Sequence, residues 1–212
     1  VMKRTFIFIL FSIIFVFLSF AQQENKTIKL NAPDFNRNLM KAFKERASAR
    51  EFDTTKLSIQ DLSDLLWAAN GINRPESGKR TTPSAMNSQD IDIYVFLEDG
   101  VFLYDFKNST LKSIVTGDKR QIFSGPRKDP IPPVILLLVS DISRFTRGAD
   151  SLKLNWAALD AGIVSQNISL FCAGNNMLTR PRAGMPLEEI KKLLMLSPTQ
   201  YPMLNHPVSY KK

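Results

Sequence analysis

The sequence predicts one domain combining α-helices with β-strands, and three observations carry that prediction. Ser58 and Asp61 three residues later open an apolar stripe of Ile59, Leu62, Leu65, Leu66 and Ala69 at helical spacing. Residues 91–97 and 101–106 are rich in β-branched and aromatic side chains and are joined by Glu98, Asp99 and Gly100, the composition of a hairpin. Residues 134–139 form an uninterrupted apolar run, too short for a helix and suited to a strand buried on both faces. A chain of 212 residues, 44% hydrophobic and 23% charged, has enough apolar surface for one core and too little length for two comfortable ones.

Taken in order, the chain begins with Lys3 and Arg4, then an apolar stretch from Phe6 to Leu18, then the small residues Ser19 and Ala21. Residues 1–21 have the outline of a secretory signal peptide. The apolar stretch is shorter than the ~20 residues a membrane-spanning helix requires, so cleavage and export, to the periplasm, are expected rather than stable membrane insertion. An uncleaved membrane tether is the less favoured alternative. Residues 22–36 are read as an N-terminal tether and residues 37–212 as the domain proper.

Leu39, Met40 and Phe43 mark an amphipathic helix over residues 35–45, and the helix opened by Ser58 should end at Gly71. Residues 72–87, rich in Gly, Pro, Ser, Thr and basic side chains, read as a long loop, and such loops are usually functional. Four prolines in residues 126–133 exclude a central strand there. Residues 151–173 read as a long helix with apolar side chains on most sides, among them Trp156, Leu159, Ile163, Val164, Leu170 and Phe171, which places it centrally or at a subunit interface. Pro186 opens a last helix through Leu196, with Glu188 and Glu189 in its first turn, and residues 206–210 close the chain as a strand.

Charge and composition exclude several function classes. The formal charge is +8, and a chain lacking residues 1–21 carries 26 basic against 20 acidic residues. This excess is spread out and not interleaved with aromatics, so no nucleic-acid partner is expected. One cysteine, Cys172, and one histidine, His206, leave no internal disulfide and argue against a structural zinc site or a Ser/His/Asp triad. Both side chains, with Trp67 and Trp156, are read as structural.

Three segments could carry chemistry. Arg46, Ser48 and Arg50 alternate, so an extended backbone would project all three to one side, where they could clamp a phosphate; a solvated basic helix end is the other reading. Pro83, Ser84, Ala85 and Asn87 precede a strand and offer donors and acceptors suited to a planar heterocycle, or simply make a turn. Arg182, Ala183 and Gly184 follow the long helix, where small residues let a backbone N–H approach a ligand or make a plain connection.

In order and spacing these segments resemble the FMN-dependent nitroreductase family, in the branch that includes the dehydrogenases of thiazole and oxazole peptide maturation. The resemblance is carried by RASAREF (residues 46–52), LLWAANGINR (65–74), TTPSAMNSQ (81–89), LDAGIVSQNISLFCAG (159–174) and RPRAG (180–184). It implies an α+β fold, a mixed sheet flanked by helices, assembled as an intertwined homodimer with FMN at each subunit interface. It implies that Arg46, Ser48 and Arg50 hold the FMN phosphate with Lys211 or Lys212, and that Ser84 and Asn87 meet the flavin edge. Pro83 to Ala85 would reach the partner's flavin, and the backbone of Ala183 and Gly184 would lie near its reactive nitrogen. The implied activity is ping-pong electron transfer from NADH, NADPH or another donor to a small-molecule acceptor, with no obligatory side-chain acid or base. A non-catalytic exported flavin-binding or structural dimer is the alternative. Two departures from the family pattern are Asn175 and Asn176 at the end of the long helix and Ser209 where glycine is common.

Overall fold

The computed structural model describes residues 26–32, 39–125 and 130–212. The signal-peptide reading of residues 1–21 lies outside the described residues, as do parts of the tether and of the proline-rich segment. Among the described residues no helix is long and apolar enough to cross a membrane.

Strand β1 (Thr27–Lys29) is followed by helix α1 (Leu39–Glu45) and helix α2 (Ile59–Asn70). A short hairpin, β2 (Ile72–Arg74) and β3 (Lys79–Arg80), precedes β4 (Ile91–Leu97), β5 (Gly100–Asp105), β6 (Thr110–Thr116) and β7 (Val134–Asp141). The long helix α3 (Asp150–Gly174), β8 (Met177–Thr179), α4 (Leu187–Leu194) and β9 (Gln200–Tyr210) complete the chain. Seven strands form the main sheet in the order β1-β6-β5-β4-β7-β9-β8.

Hydrophobic alternation explains why β4 and β7 lie at its centre. Ile91, Ile93 and Val95 of β4, with Val134, Leu136 and Leu138 of β7, face a core completed by Leu62, Leu65, Leu66 and Ala69 of α2 and Ala161, Val164, Ile168 and Cys172 of α3. The intervening residues Tyr94, Phe96, Ile135, Leu137 and Val139 face a second core with Ile190 and Leu194 of α4. The sheet is therefore covered on both sides, which is why the apolar run of β7 does not alternate with polar residues.

The helices start and stop as their local chemistry requires. The Ser58 hydroxyl accepts the Asp61 N–H at 3.0 Å and caps α2. Gly71 ends it in an extended conformation, and a Cβ there would lie 2.6 Å from Trp67 Cδ1, so close approach rather than a left-handed turn accounts for the glycine. At the end of α3 the left-handed position is filled by Asn176, at φ 54°, a residue that tolerates this conformation.

Several sequence expectations are corrected. Residues 27–29, read as tether, form an edge strand paired with β6, and Leu30 is buried in the core: a polar stretch can still supply backbone pairing and one apolar anchor. The loop expected at residues 72–87 contains the β2–β3 hairpin. β6 was not anticipated, and β9 begins at Gln200 rather than His206, with Pro202 placed where its register against β7 shifts. Proline lacks the N–H a regular ladder needs, which hides such a strand from sequence patterning. The main-sheet ladders are antiparallel, and parallel pairing enters through a bridge between Ser48 and Thr179 beside β8.

Candidate functional site

The basic segment after α1 is laid against the edge strand β8. Ser48 bridges Thr179, and the Ala49 N–H donates to the Thr179 carbonyl at 3.0 Å. The pairing fixes the backbone at Ser48 and Ala49, while the Arg46 N–H still donates to the Ala42 carbonyl at 2.9 Å at the end of α1; Arg46, Ser48 and Arg50 are all exposed. Because Arg180 directly follows Thr179, the bridge sets the Ser48–Ala49 backbone beside the start of segment 180–184. On the other side of β8 the Lys211 N–H donates to Asn176 O at 2.9 Å, and Lys211 joins Ala47, Ala49 and Thr179 around a cavity of about 150 Å³. Lys212 instead lies 3.6 Å from Asp53, leaving Lys211 as the C-terminal cation for this region.

Segment 180–184 is held by Asn205 of β9. Arg182 and Asn205 exchange backbone hydrogen bonds of 2.9 and 2.8 Å, and Arg182 Nε donates to Asn205 Oδ1 at 2.8 Å. Ala183 and Gly184 are exposed, and nothing lies within 4 Å of where a Gly184 Cβ would be. Burial, with Arg180 beside it, pulls the Arg182 guanidinium below its ordinary value. Arg180 Nε is buried without a hydrogen-bond partner. Among the described residues no acid pairs with Arg46, Arg50, Arg180 or Arg182. Four guanidinium groups with an orphaned buried donor fit an anionic group and would repel a cation. These residues thus fit the phosphate and polar edge of FMN. Ser209, in place of glycine, accepts the Asp53 N–H at 3.1 Å, so its hydroxyl serves the fold.

The loop after β3 is organised differently. Pro83 is exposed, Ser84 Oγ accepts the Gln89 N–H at 2.8 Å, and Ala85 to Asn87 form a single tight turn in which Met86 and Asn87 have φ of 55° and 54°. Asp160 of α3 accepts the Ala85 N–H through both carboxylate oxygens, at 3.1 and 2.9 Å. Behind the loop, Arg80 Nη1 and Asn70 Nδ2 both donate to the Ile91 carbonyl, and Thr82 Oγ1 donates to Asn70 Oδ1 at 2.5 Å. The Arg80 guanidinium stacks 3.5 Å from the Phe106 ring centroid and is depressed to about 10 by burial. Burial, with the Asp90 carboxyl nearby, pushes the Asp160 carboxyl up to about 7.

Asp160, Asp90 and Arg80 were not among the residues expected at the site. The one signal for Asp160 is a carboxylate within the otherwise apolar stretch 156–164 of α3; nothing local distinguishes Arg80 or Asp90. His206 is structural, as expected: its Nε2 lies 2.9 Å from Ser165 Oγ and its Nδ1 3.2 Å from Thr179 Oγ1, and burial plus nearby Arg182 push it down to about 3. Burial raises the Cys172 thiol, so it is not a thiolate centre. Trp67 Nε1 donates to Ile72 O, and the Trp156 ring packs on Phe145. Among the described residues there is no cluster of His, Cys, Asp and Glu that could hold a metal ion.

One chain separates the two halves of the candidate site. Ala85 sits at Asp160, whereas Ala47 and Ala49 share their cavity with Ser169, Cys172 and Ala173. These anchors are 9–13 residues apart on α3, or roughly 14–20 Å at 1.5 Å per residue. Leu159 is 67% exposed on the outer face of α3, and Leu39, Met40 and Phe43 of α1 are exposed beyond a groove of about 290 Å³ lined by Trp67, Leu170 and Phe171.

Comparison with known proteins agrees with this architecture. The Nitroreductase family profile matches residues 43–210, spanning both halves of the site. The chain is 26% identical over 201 residues to the "Putative nitroreductase" of Methanocaldococcus jannaschii, covering 87% of this chain and 98% of that protein. Among solved structures it is similar to a putative nitroreductase of Ralstonia eutropha JMP134, with TM-score 0.83, 28% identity and coverage of 91% and 92% of the two chains. It shares the fold of a chain in the Escherichia coli microcin synthetase McbBCD complex, with TM-score 0.70, 18% identity and coverage of 91% and 77%. With the match extending from the end of α1 to the end of β9, the chain belongs to the nitroreductase family of oxidoreductases.

Proposed function

We propose that the protein is an exported FMN-dependent oxidoreductase that works as a homodimer, and the observation that carries this is the set of guanidinium groups that, among the described residues, have no acid partner, near the open backbone at Ala183 and Gly184. Bound FMN would supply the redox chemistry, accepting two electrons and a proton equivalent from NADH, NADPH or another donor and passing them to a small acceptor in a second half-reaction. The chain supplies binding and orientation. Arg46, Ser48, Arg50 and Lys211 would hold the phosphate, while Ser84 and Asn87 would meet the ring edge.

Ala183 and Gly184 present backbone without side-chain bulk, which leaves one ring face reachable by donor and acceptor in turn. The separation of the 83–87 loop from residues 46–50 within one chain supports a site built from two copies, with Pro83 to Ala85 of one serving the flavin of the other. The exposed apolar surface of α1 and α3 is the surface those copies would bury.

The test is anaerobic reduction of the FMN-loaded protein. Bleaching of the flavin absorbance by NADH or NADPH, and its return on adding a quinone, nitroaromatic or thiazoline, is the expected outcome. Protein that refuses FMN overturns the reading, and protein that binds FMN but turns over with no donor and acceptor pair is the non-catalytic dimer. Mass spectrometry of the native N-terminus tests export with cleavage after Ala21.

A further inference from the structure

The loop at the proposed ring edge is strained, and what holds it is a pair of buried carboxyls. Within five positions Met86, Asn87 and Gln89 adopt φ of 55°, 54° and 49°, a region that L-residues with side chains avoid. Asp160 takes the Ala85 N–H at one end of this turn. Asp90, at the other end and fully buried, accepts Ser140 Oγ at 2.5 Å and Ser88 Oγ at 3.1 Å. Asp160 is itself only 4% exposed, and its carboxyl lines the same small cavity as that of Asp90.

An ionised carboxylate has no proton to donate. The Ala85 N–H is already directed at Asp160, and Asp90 receives its two hydroxyls, so neither neighbour can bridge the carboxyls. Two ionised carboxylates lining one small buried cavity would repel, and keeping one proton relieves this. The charged groups facing Asp90 are Arg80 of β3 and Arg144 of the turn after β7. Arg144 is itself paired with Asp92 and with Asp141. Arg80 also lines the small cavity between the loop and α3, with Asn70, Thr82, Ser84 and Gln89.

We propose that Asp160 and Asp90 share a single proton, and that this proton latches the 85–89 turn onto α3, which makes Asp160 a positioning residue for the flavin-ring loop. The inference rests on the FMN reading only for what the loop touches; the latch itself belongs to the protein without cofactor. When the proton is released to water at higher pH, two negative charges face each other and the turn loses its fixed attachment. Flavin would then bind to a loop that must first be ordered, and retention would fall.

The experiment compares wild type with Asp160→Asn and Asp160→Ala. The asparagine amide can accept the Ala85 N–H through Oδ1 and donate to Asp90 through Nδ2, so it mimics the protonated acid at every pH. For wild type, FMN affinity measured by fluorescence quenching should be constant below about pH 7 and fall towards about tenfold per pH unit above it. Asp160→Asn should keep the affinity of the low-pH wild type without the fall, and Asp160→Ala should lose at least about tenfold throughout. Identical pH profiles for wild type and Asp160→Asn overturn the latch.

If no variant binds FMN, the cofactor reading fails and the latch is decided by urea stability of the FMN-free protein. The stability of wild type minus that of Asp160→Asn should decline as pH rises from the ordinary carboxylate value of 3.8 to about 7 and level off above. A flat difference overturns the proposal. The asparagine comparison suffices if the alanine variant does not fold.

Discussion

Arg50 shows how much chemistry one exposed side chain can be asked to supply. It stands on an extended stretch fixed by the Ser48–Thr179 bridge and the Ala49 N–H, so its direction is set by backbone pairing rather than by contacts of its own. Charge-assisted hydrogen bonds to phosphate contribute about 1.5–3 kcal/mol each. Arg50→Ala should therefore raise the FMN dissociation constant by at least about tenfold while leaving thermal unfolding of the FMN-free protein unchanged. A dissociation constant equal to that of wild type would remove Arg50 from the phosphate site. At the same scale, Asn176 and Ser209 show how departures from a family pattern are absorbed: one adopts the left-handed turn directly, and the other places its hydroxyl on the Asp53 N–H.

At the scale of elements, α3 has two apolar faces with different fates. Ala157, Ala161, Val164, Ile168 and Cys172 recur at three- and four-residue spacing and are buried against the sheet and neighbouring elements. Leu152, Leu159 and Ile163 face outward, and Leu159 remains 67% exposed. A carboxylate placed on that outer face costs little in a single chain but would be buried and unpaired in a dimer. Leu159→Asp should accordingly yield a folded monomer in light scattering with weakened FMN retention. A variant that remains dimeric would exclude this face of α3 from the interface. The groove lined by Trp67, Leu170 and Phe171 extends the same surface towards α1.

For the whole molecule, two buried groups tilt stability with pH in opposite directions. The folded value of His206 lies near 3 against an ordinary 6.5, so its contribution is complete above 6.5 and is lost as pH falls towards 3. Asp160 is shifted upward from 3.8 to about 7, so its contribution is complete below 3.8 and is lost as pH rises towards 7. Where these windows overlap, from 3.8 to 6.5, the slopes oppose each other and flatten the wild-type curve. Replacing His206 by glutamine, which is neutral at every pH, should unmask the Asp160 slope. The stability difference between wild type and His206→Gln should shrink below pH 6.5 by at most about 1.4 kcal/mol per pH unit. A pH-independent difference in urea unfolding would contradict a neutral buried His206.

What could be read along the chain is what short-range periodicity encodes. The cap and stripe of α2, the β4–β5 hairpin, the unbroken run of β7 and the span of α3 all express local propensity and one- or two-sided burial, and the ordered segments identified the family. The β6 strand, the β2–β3 hairpin, the early start of β9 and the pairing of residues 27–29 were not legible, because their hydrogen bonds join segments far apart in sequence or pass around prolines. The same limit applied to the site. Alternation could place Arg46, Ser48 and Arg50 on one side of an extended stretch, but only tertiary packing bridged Ser48 to Thr179 next to Arg180, and only packing brought Asp160 and Asp90 to one cavity. Neighbouring charge and desolvation depend on distances in space, and those arise when the sheet closes against α3.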